Sequence, residues 1–556
     1  MIGRVSILAA VVGCWALLPA NAAGHTVTAR DYTFNVTSTA DSHDAYQGEP
    51  VCATRTRTCT LRAAVEAASA LAAGAVVTVH VPAGIYDLTL GSLDAGANVI
   101  ILDGASAAST VISARSASRV LKVAPAASVT IDRLTLTRGN AAGGVGGAVL
   151  NDGRLLVVRS DFRDDSADSG GALSNAGGVM RIEDSDFADD NDDSGDGGGA
   201  IQNGGIADLP GSVSVTGSTF SHDQAGADGG AILNGQNGQP PGPDARASRS
   251  PHVQAITSSS RTLRLTVAGS TFSSDESSNE GGAIANDGGA AILSGDVFSD
   301  DTAIAGALGG AISSYGTLVL TRSRLSNNSA CYGGAIELES AGTTSSATIG
   351  QSTFSGNKAS CYGGAIDVSG TSVTLTQSTL VGNWSTGGAA VQIEGSSGGT
   401  FTNSTFYRNT GSSAIQTFEC GQAELSFDTF SANTAALDLS CPDSTVLGTI
   451  LASSAEANCR GAAPVSRGYN LDTGSSCRLT KPTDFTDAWP DLGELSSNGG
   501  PTQTMALLPG SRALGHGGTR ATGCPPVDQR GVRRPQAAAC DIGAFEKTRV
   551  ISASTI

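Results

Sequence analysis

Thr353–Ile366 reads TFSGNKASCYGGAI, and the two ends of this stretch recur along most of the chain. A Gly-Gly-Ala element starts at Gly146, Gly170, Gly198, Gly229, Gly281, Gly309, Gly333, Gly363 and Gly387. A large apolar residue, followed three positions later by Asp or Asn, falls at Phe162, Phe187, Phe220, Phe272, Phe298, Leu325, Phe354, Leu380, Phe406 and Phe430. Most copies follow one another after 24 to 31 residues. Self-similarity at such a period marks a stacked repeat, in which each unit buries its apolar face against its neighbours.

The segments between the copies decide the type of repeat. Thr317–Arg322 (TLVLTR) and Ser372–Gln377 (SVTLTQ) alternate apolar with polar, the period of a half-buried strand. No unit holds ten or more residues at helical spacing, and glycine makes up 73 of 556 residues. Short strands turned by glycine at this period predict an all-β fold, a single-stranded right-handed parallel β-helix. Equivalent side chains then stack one rung apart, about 4.8 Å. The Phe/Leu column is predicted to line the interior.

A second column is informative. Three residues after each Phe or Leu stand Asp165, Asp190, Asp223, Asp275 and Asp301, then Asn328, Asn357, Asn383, Asn409 and Asn433. A complementary set, Asn151, Asn175, Asn203, Asn234 and Asn286, follows the Gly-Gly-Ala elements and ends as the first column changes to Asn. One reading is corner Asx residues stacked as ladders. The other is that the Asp half holds a cation. Asp189, Asp190, Asp192, Asp193 and Asp196 form the densest acidic run and are the Ca²⁺ candidates. The run lacks the EF-hand turn glycine and bidentate Glu, since Ser194 and Ala200 stand there. A solvated acidic loop competes with it, and the fold itself requires no cofactor.

Met1–Ala22 has the build of a secretory signal, with Arg4, an apolar run and Ala20-Asn21-Ala22. Val11–Cys14 also resembles a lipobox that would lipidate Cys14. No other stretch is long and apolar enough for a membrane span. The chain is therefore expected to be exported, to the extracellular space, the cell surface or outer membrane, or the periplasm. Ten cysteines remain after Cys14, an even number that suits disulfides in an oxidising compartment. Cys331 and Cys361 occupy the same place in successive coils (ACYGGAI and SCYGGAI), within bridging distance. Cys52, Cys59, Cys420, Cys441, Cys459, Cys477, Cys524 and Cys540 are read as pairs of sequence neighbours. Zinc is the competing reading, opposed by the absence of Cys-x-x-Cys and by only six His.

Residues 23–75 form a predicted capping module, with a helix over Thr60–Leu71. Cys59-Thr60-Leu61-Arg62-Ala63-Ala64 resembles the Cys-Ser-Leu-Arg-Glu-Ala motif of a secreted-protein module, with Ala63 in place of the Glu. The β-helix is assigned to 76–455, with an insertion loop at 235–261 rich in Pro, Ser and Gly. Its repeats resemble those of the chlamydial polymorphic outer-membrane proteins, which implies a surface or adhesin role. No C-terminal barrel strands follow. Residues 456–546 carry Gly468-Tyr469-Asn470-Leu471, Asn498–Thr504, Asp528-Gln529-Arg530-Gly531 and Cys540–Glu546, an ordered set that resembles the choice-of-anchor Q module; 547–556 is a tail.

Net charge is −18, and it is uneven: Asn140–Gly310 holds 24 Asp/Glu against 8 Arg. Such a surface excludes nucleic acid and anionic membranes as partners and leaves cations and neutral glycans. No Gly-x-Ser-x-Gly, His-Glu-x-x-His, P-loop or dinucleotide pattern occurs. His80, His222 and His252 stand alone. The function expected is that of a monomeric, non-catalytic surface scaffold that binds a glycan or protein ligand, with no catalytic residue assigned. The alternative is a polysaccharide lyase or glycoside hydrolase, whose carboxylates would come from Asp164-Asp165, Asp189-Asp190 and Asp300-Asp301.

Overall fold

The computed structural model describes residues 30–193, 195–204, 211–235, 263–304, 306–340, 345–452 and 457–548. The leader, nearly all of the 235–261 insertion and the last residues of the tail lie outside this set.

Each coil of the central repeat visits four parallel sheets in turn, and the coils before Asn140 and after Gly411 visit three. In one coil the chain runs through Arg154–Val158, Asp161–Arg163, Ser166–Ser169 and Leu173–Asn175. The next strand, Val179–Glu183, pairs in register with Arg154–Val158 and begins the following coil. The first to fourth sheets, in this order, hold 16, 15, 10 and 14 strands. A two-stranded antiparallel ribbon, Leu492–Ser496 with Thr504–Leu507, stands apart.

Alternation produces this shape directly. In Ser372–Thr376, Val373 and Leu375 point inward while Ser372 and Thr374 are exposed. Phe162, Phe187, Phe220, Phe272 and Phe298 are fully buried and stack with centroids 4.8 Å apart and planes nearly parallel. Isolated rings prefer offset or edge-on contacts. Here the rung spacing sets the stack.

The Gly-Gly corner admits no side chain. Gly281 has φ +59°, and a Cβ on it would lie 2.1 Å from the Ile284 carbonyl oxygen. A Cβ on Gly282 would lie 2.0 Å from the Gly310 oxygen one rung on. Backbone meets backbone at this corner, so only glycine fits.

Both ends are covered. Strand Asp31–Asn35 opens the first sheet by pairing with Val76–Val81. Helix α1 (Leu61–Ala70) starts where Thr60 Oγ1 accepts from the Ala63 amide at 3.1 Å, and packs on strand Leu93–Ala95. Arg62 grips both oxygens of Asp41 and also donates to the carbonyls of Gly91 and Ser92. This arginine of the motif-like segment pins the cap to the first coils. At the other end the sheets continue through Leu471–Asp472, beyond residue 455. The last segment then doubles back over the outer side of the coils. Asn403 Nδ2 donates to the Val527 carbonyl, Thr405 Oγ1 to Gln529 Oε1, and Gln529 Nε2 to the Ser378 carbonyl.

Five disulfides join Cys52–Cys59, Cys331–Cys361, Cys420–Cys441, Cys459–Cys477 and Cys524–Cys540. Cys331 and Cys361 sit one rung apart, with Cα atoms 4.8 Å from each other. No described helix is long and apolar enough to cross a membrane.

Candidate functional site

The Asp/Asn column is an interior ladder. All ten side chains are buried. From Asp190 onward Oδ1 accepts from the backbone amide of the ladder residue one coil earlier, and Asp165 Oδ1 accepts from Gly139 N: Asp190 N to Asp223 Oδ1 at 3.0 Å, Asp301 N to Asn328 Oδ1 at 2.9 Å, Asn357 N to Asn383 Oδ1 at 3.0 Å. In the Asn half, Nδ2 also donates, to the next Asn oxygen and to a backbone carbonyl; Asn357 Nδ2 reaches Asn383 Oδ1 and the Leu325 carbonyl, both at 3.0 Å. In the Asp half the second oxygen takes the place of that amide. Oδ2 of Asp165, Asp190, Asp223, Asp275 and Asp301 is buried with no hydrogen-bond partner in the protein. Burial pushes all five carboxyls well above the usual carboxylate range. A neutral carboxyl can donate where the asparagine amide donates. A carboxylate cannot.

Asn151, Asn175, Asn203, Asn234 and Asn286 form a second buried ladder, each amide donating to the next, and it ends on Ser314. A third ladder went unread in the sequence. Ser160, Ser185, Ser218, Ser270, Asp296, Ser323, Ser352, Ser378, Ser404 and Asp428 lie two residues before each Phe or Leu of the repeat. Each side chain accepts the backbone amide of its predecessor, as from Ser352 N to Ser378 Oγ at 3.2 Å. Burial raises Asp296 to about 6 and pushes Asp428 well up.

The acidic run is split by the coil. Asp190 belongs to the interior ladder, and buried Asp192 accepts from the amides of Gly195 and Gly197. Asp189, Asp193 and Asp196 point outward. Asp193 Oδ1 accepts from Asn191 Nδ2. Among the described residues no group of three or more His, Cys, Asp or Glu is arranged to hold a metal. The paired carboxylates offered for hydrolysis divide in the same way, with Asp165, Asp190 and Asp301 inside and Asp164, Asp189 and Asp300 at the left-handed corner next to them.

Two outer-face assemblies are visible only in the folded chain. On the first sheet, His80, Asp103 and Asp132 align on successive coils. His80 Nδ1 lies 2.9 Å from Asp103 Oδ2, Arg133 bridges Asp103 and Asp132, and Arg159 binds both oxygens of Asp132. The His80 side chain is 47% exposed, while Asp103 and Asp132 are mostly covered.

The other assembly is on the third sheet. Its outward row runs Gln224, Glu276, Thr302, Ser329, Lys358, Trp384, Thr410, each paired with the next. A neighbouring row, just before the Gly-Gly corner, runs Asp228, Glu280, Leu308, Tyr332, Tyr362. Trp384 is 36% and Tyr362 42% exposed. The Lys358 ammonium sits 5.2 Å from the Trp384 ring centre, and the rings of Tyr332 and Tyr362 lie 5.8 Å apart. Cys331–Cys361 crosslinks the two rungs that carry these tyrosines.

Asp528 and Arg530, the acid–arginine pair of the C-terminal segment, form a buried ion pair at 2.7 Å. Arg530 also stacks on Phe545 and donates to the Asn498 carbonyl, so the pair holds the returning segment together.

A family described as right handed beta helix region matches residues 334–459. No curated protein matches the chain in sequence. Among solved structures, the chain is similar to the catalytic unit of thermostable GH87 alpha-1,3-glucanase from Streptomyces thermodiastaticus strain HF3-3, at 16% identity over 71% of this chain, with a TM-score of 0.43. The chain spans 66% of that structure's length. It is similar to pectate lyase Pel9A at 12% identity, covering 94% of this chain and 97% of that one, with a TM-score of 0.23. It is also similar to a mannuronic acid specific polysaccharide family 6 lyase from human gut microbiota at 10% identity, covering 82% and 92%, with a TM-score of 0.30. Likenesses this distant carry no chemistry across. Its own strand order, together with the matched region, identifies the chain as a right-handed parallel β-helix protein.

Proposed function

We propose that this chain is an exported, non-catalytic β-helix that acts as a rigid scaffold and binds a surface glycan or protein ligand on its outer face. The observation that carries this reading is the fate of the acids. The repeated aspartates are enclosed in a ladder, whereas Tyr332 and Tyr362 stand on a disulfide-linked pair of rungs with Trp384 exposed on the next. Five disulfides suit an oxidising compartment outside the cytosol. The test is a glycan-array screen of the purified mature protein, with every polysaccharide that binds also assayed for cleavage. Saturable binding without product formation supports the scaffold; accumulating oligosaccharide products would overturn it.

One observation favours a second reading, a polysaccharide lyase or hydrolase. The His80–Asp103 pair is flanked by Arg133 on an open sheet face, and such a histidine can act as a general base. Loss of any cleavage activity in His80→Ala, with folding intact, would select it.

A further inference from the structure

We propose that the outer face of the third sheet, from Ser329 to Thr410, is a binding site for a neutral polysaccharide chain lying along the axis of the helix. This rests on the scaffold reading and names its ligand class and its site.

The two rows change character at the same point. In the earlier coils the first carries the exposed Glu276, while Asp228 and Glu280 of the second are buried. Asp168 stands on the same sheet, and the exposed Asp193 just past the end of its next strand. From Thr302 and Leu308 onward the rows hold no acid but hydroxyls, rings and one lysine: Ser329, Lys358, Trp384 and Thr410 in one, Tyr332 and Tyr362 in the other. Ser360 and Thr386 are exposed on the same strands or next to them. Elsewhere in the repeat most aromatics are interior Phe, with Phe418 exposed on the fourth sheet. Here they are Tyr and Trp left in water, where an apolar ring gains by being covered.

Sugar rings have the complementary surface. Their C–H faces stack on aromatic rings, and their hydroxyls pair with Ser and Thr. The direction follows from the ladder. Equivalent residues recur each 4.8 Å along the axis, as the Cys331 and Cys361 Cα atoms do, so an extended chain meets Ser329, Lys358, Trp384 and Thr410 in succession. Tyr362 lies four residues along the strand from Lys358, about 13 Å at the rise of a strand, and so bounds the track on its other side. A charged glycan fits less well. Lys358, the cation of this stretch, is already engaged with Trp384, and an anionic chain running on would meet Glu276. The site is ordered before binding, since Cys331–Cys361 ties the tyrosine rungs together and the Lys358 stem lies against Trp384, which lowers the entropy lost on binding.

The test uses the mature protein carrying Trp489→Phe, which leaves Trp384 as the one tryptophan after the leader. Cellohexaose, laminarihexaose and a hexa-uronate are titrated while Trp384 fluorescence is followed. The expected result is saturable change with one of the neutral hexaoses, insensitive to salt. Affinity for the matching polysaccharide should fall at least tenfold in Trp384→Ala and in Tyr362→Ala, both at exposed positions and both retaining the parent melting temperature. Unchanged polysaccharide binding in those variants would overturn the site and leave the scaffold reading standing. A response to the uronate alone, abolished by salt, would overturn the neutral class. Loss of a dimer in Trp384→Ala, with no sugar bound, would make the face a self-contact. Failure of every glycan and protein ligand on the intact protein would remove the scaffold reading itself.

Discussion

Replacing Asp223 by Asn tests whether the first half of the ladder is built from neutral carboxyls. Asp223 Oδ1 accepts from Asp190 N, and its own amide donates to Asp275 Oδ1. Its Oδ2 is buried and unpartnered. Burial, and then the carboxyls of Asp275, Asp190 and Asp189, push its pKa up, against the hydrogen bond from Asp190 N. In the unfolded chain the same group ionises near the ordinary value of about 3.9. The folded state therefore binds more protons above that pH. The stability this gives is fully present below the unfolded pKa and is lost as pH rises toward the folded pKa. Each pH unit in that window costs about 1.4 kcal/mol for one such group. Asn keeps the Oδ1 contact, adds a donor as Asn357 does, and does not titrate. Calorimetric melts at a series of pH values should give nearly equal melting temperatures for the two proteins at about pH 3, with Asp223→Asn pulling ahead steadily toward neutral pH. An infrared band of a protonated carboxyl should weaken in the variant. A difference that is constant with pH, or a parent protein that gains on the variant as pH rises, would refute the neutral ladder.

Reducing Cys331–Cys361 through the double Cys→Ser variant opens a 30-residue loop and should cost roughly 3 to 4 kcal/mol, read as a lower melting temperature. Gly282→Ala puts a methyl against the Gly310 carbonyl oxygen, and both sides are backbone; a loss above about 3 kcal/mol or a failure to fold is expected, and normal stability would contradict the stacked corner. Arg530→Ala leaves Asp528 buried without its partner, which should cost about 3–5 kcal/mol, and increased protease cleavage between 492 and 548 checks that the loss lies in the returning segment.

Repetition made the coil legible. Because Phe187 pairs with Phe220 and Phe220 with Phe272, one column of the sequence becomes one column of the core. The same logic aligned Cys331 with Cys361 and exposed the Asp/Asn column, although depth inside the coil, which pushes the aspartate pKa values up, is not a property of spacing. The serine ladder had an equally regular signal, two residues before each Phe, but serine is so common here that its period does not stand out. His80, Asp103 and Asp132 lie in the irregular early coils, at unequal intervals, and only strand pairing brings them together. The fold-back of the C-terminal segment was beyond reach for another reason. Gln529 and Thr405 are 124 residues apart and meet through side chains that follow no period.

The change from Asp to Asn has a consequence along the length of the rod. Burial pushes the five ladder carboxyls up in pKa and hides them, so the negative charge that faces solvent is carried by outward acids such as Asp189, Asp193 and Glu276. Stability in a stacked repeat is close to a sum of rung and interface terms, so a local titration acts locally. Raising the pH weakens the rungs of Asp165 to Asp301 one proton at a time. The ladders hold no carboxyl in the rungs of Asn328 to Asn409, which carry the aromatic track, and meet one again only at Asp428. Hydrogen exchange at rising pH, corrected for its intrinsic pH dependence, should therefore lose protection first at amides such as Asp190 N and Asp275 N, while Asn357 N and Asn383 N hold. Uniform loss along the whole rod would mean that the coils unfold as one cooperative unit. Earlier loss in the Asn half would mean that the aspartates are not the weak rungs.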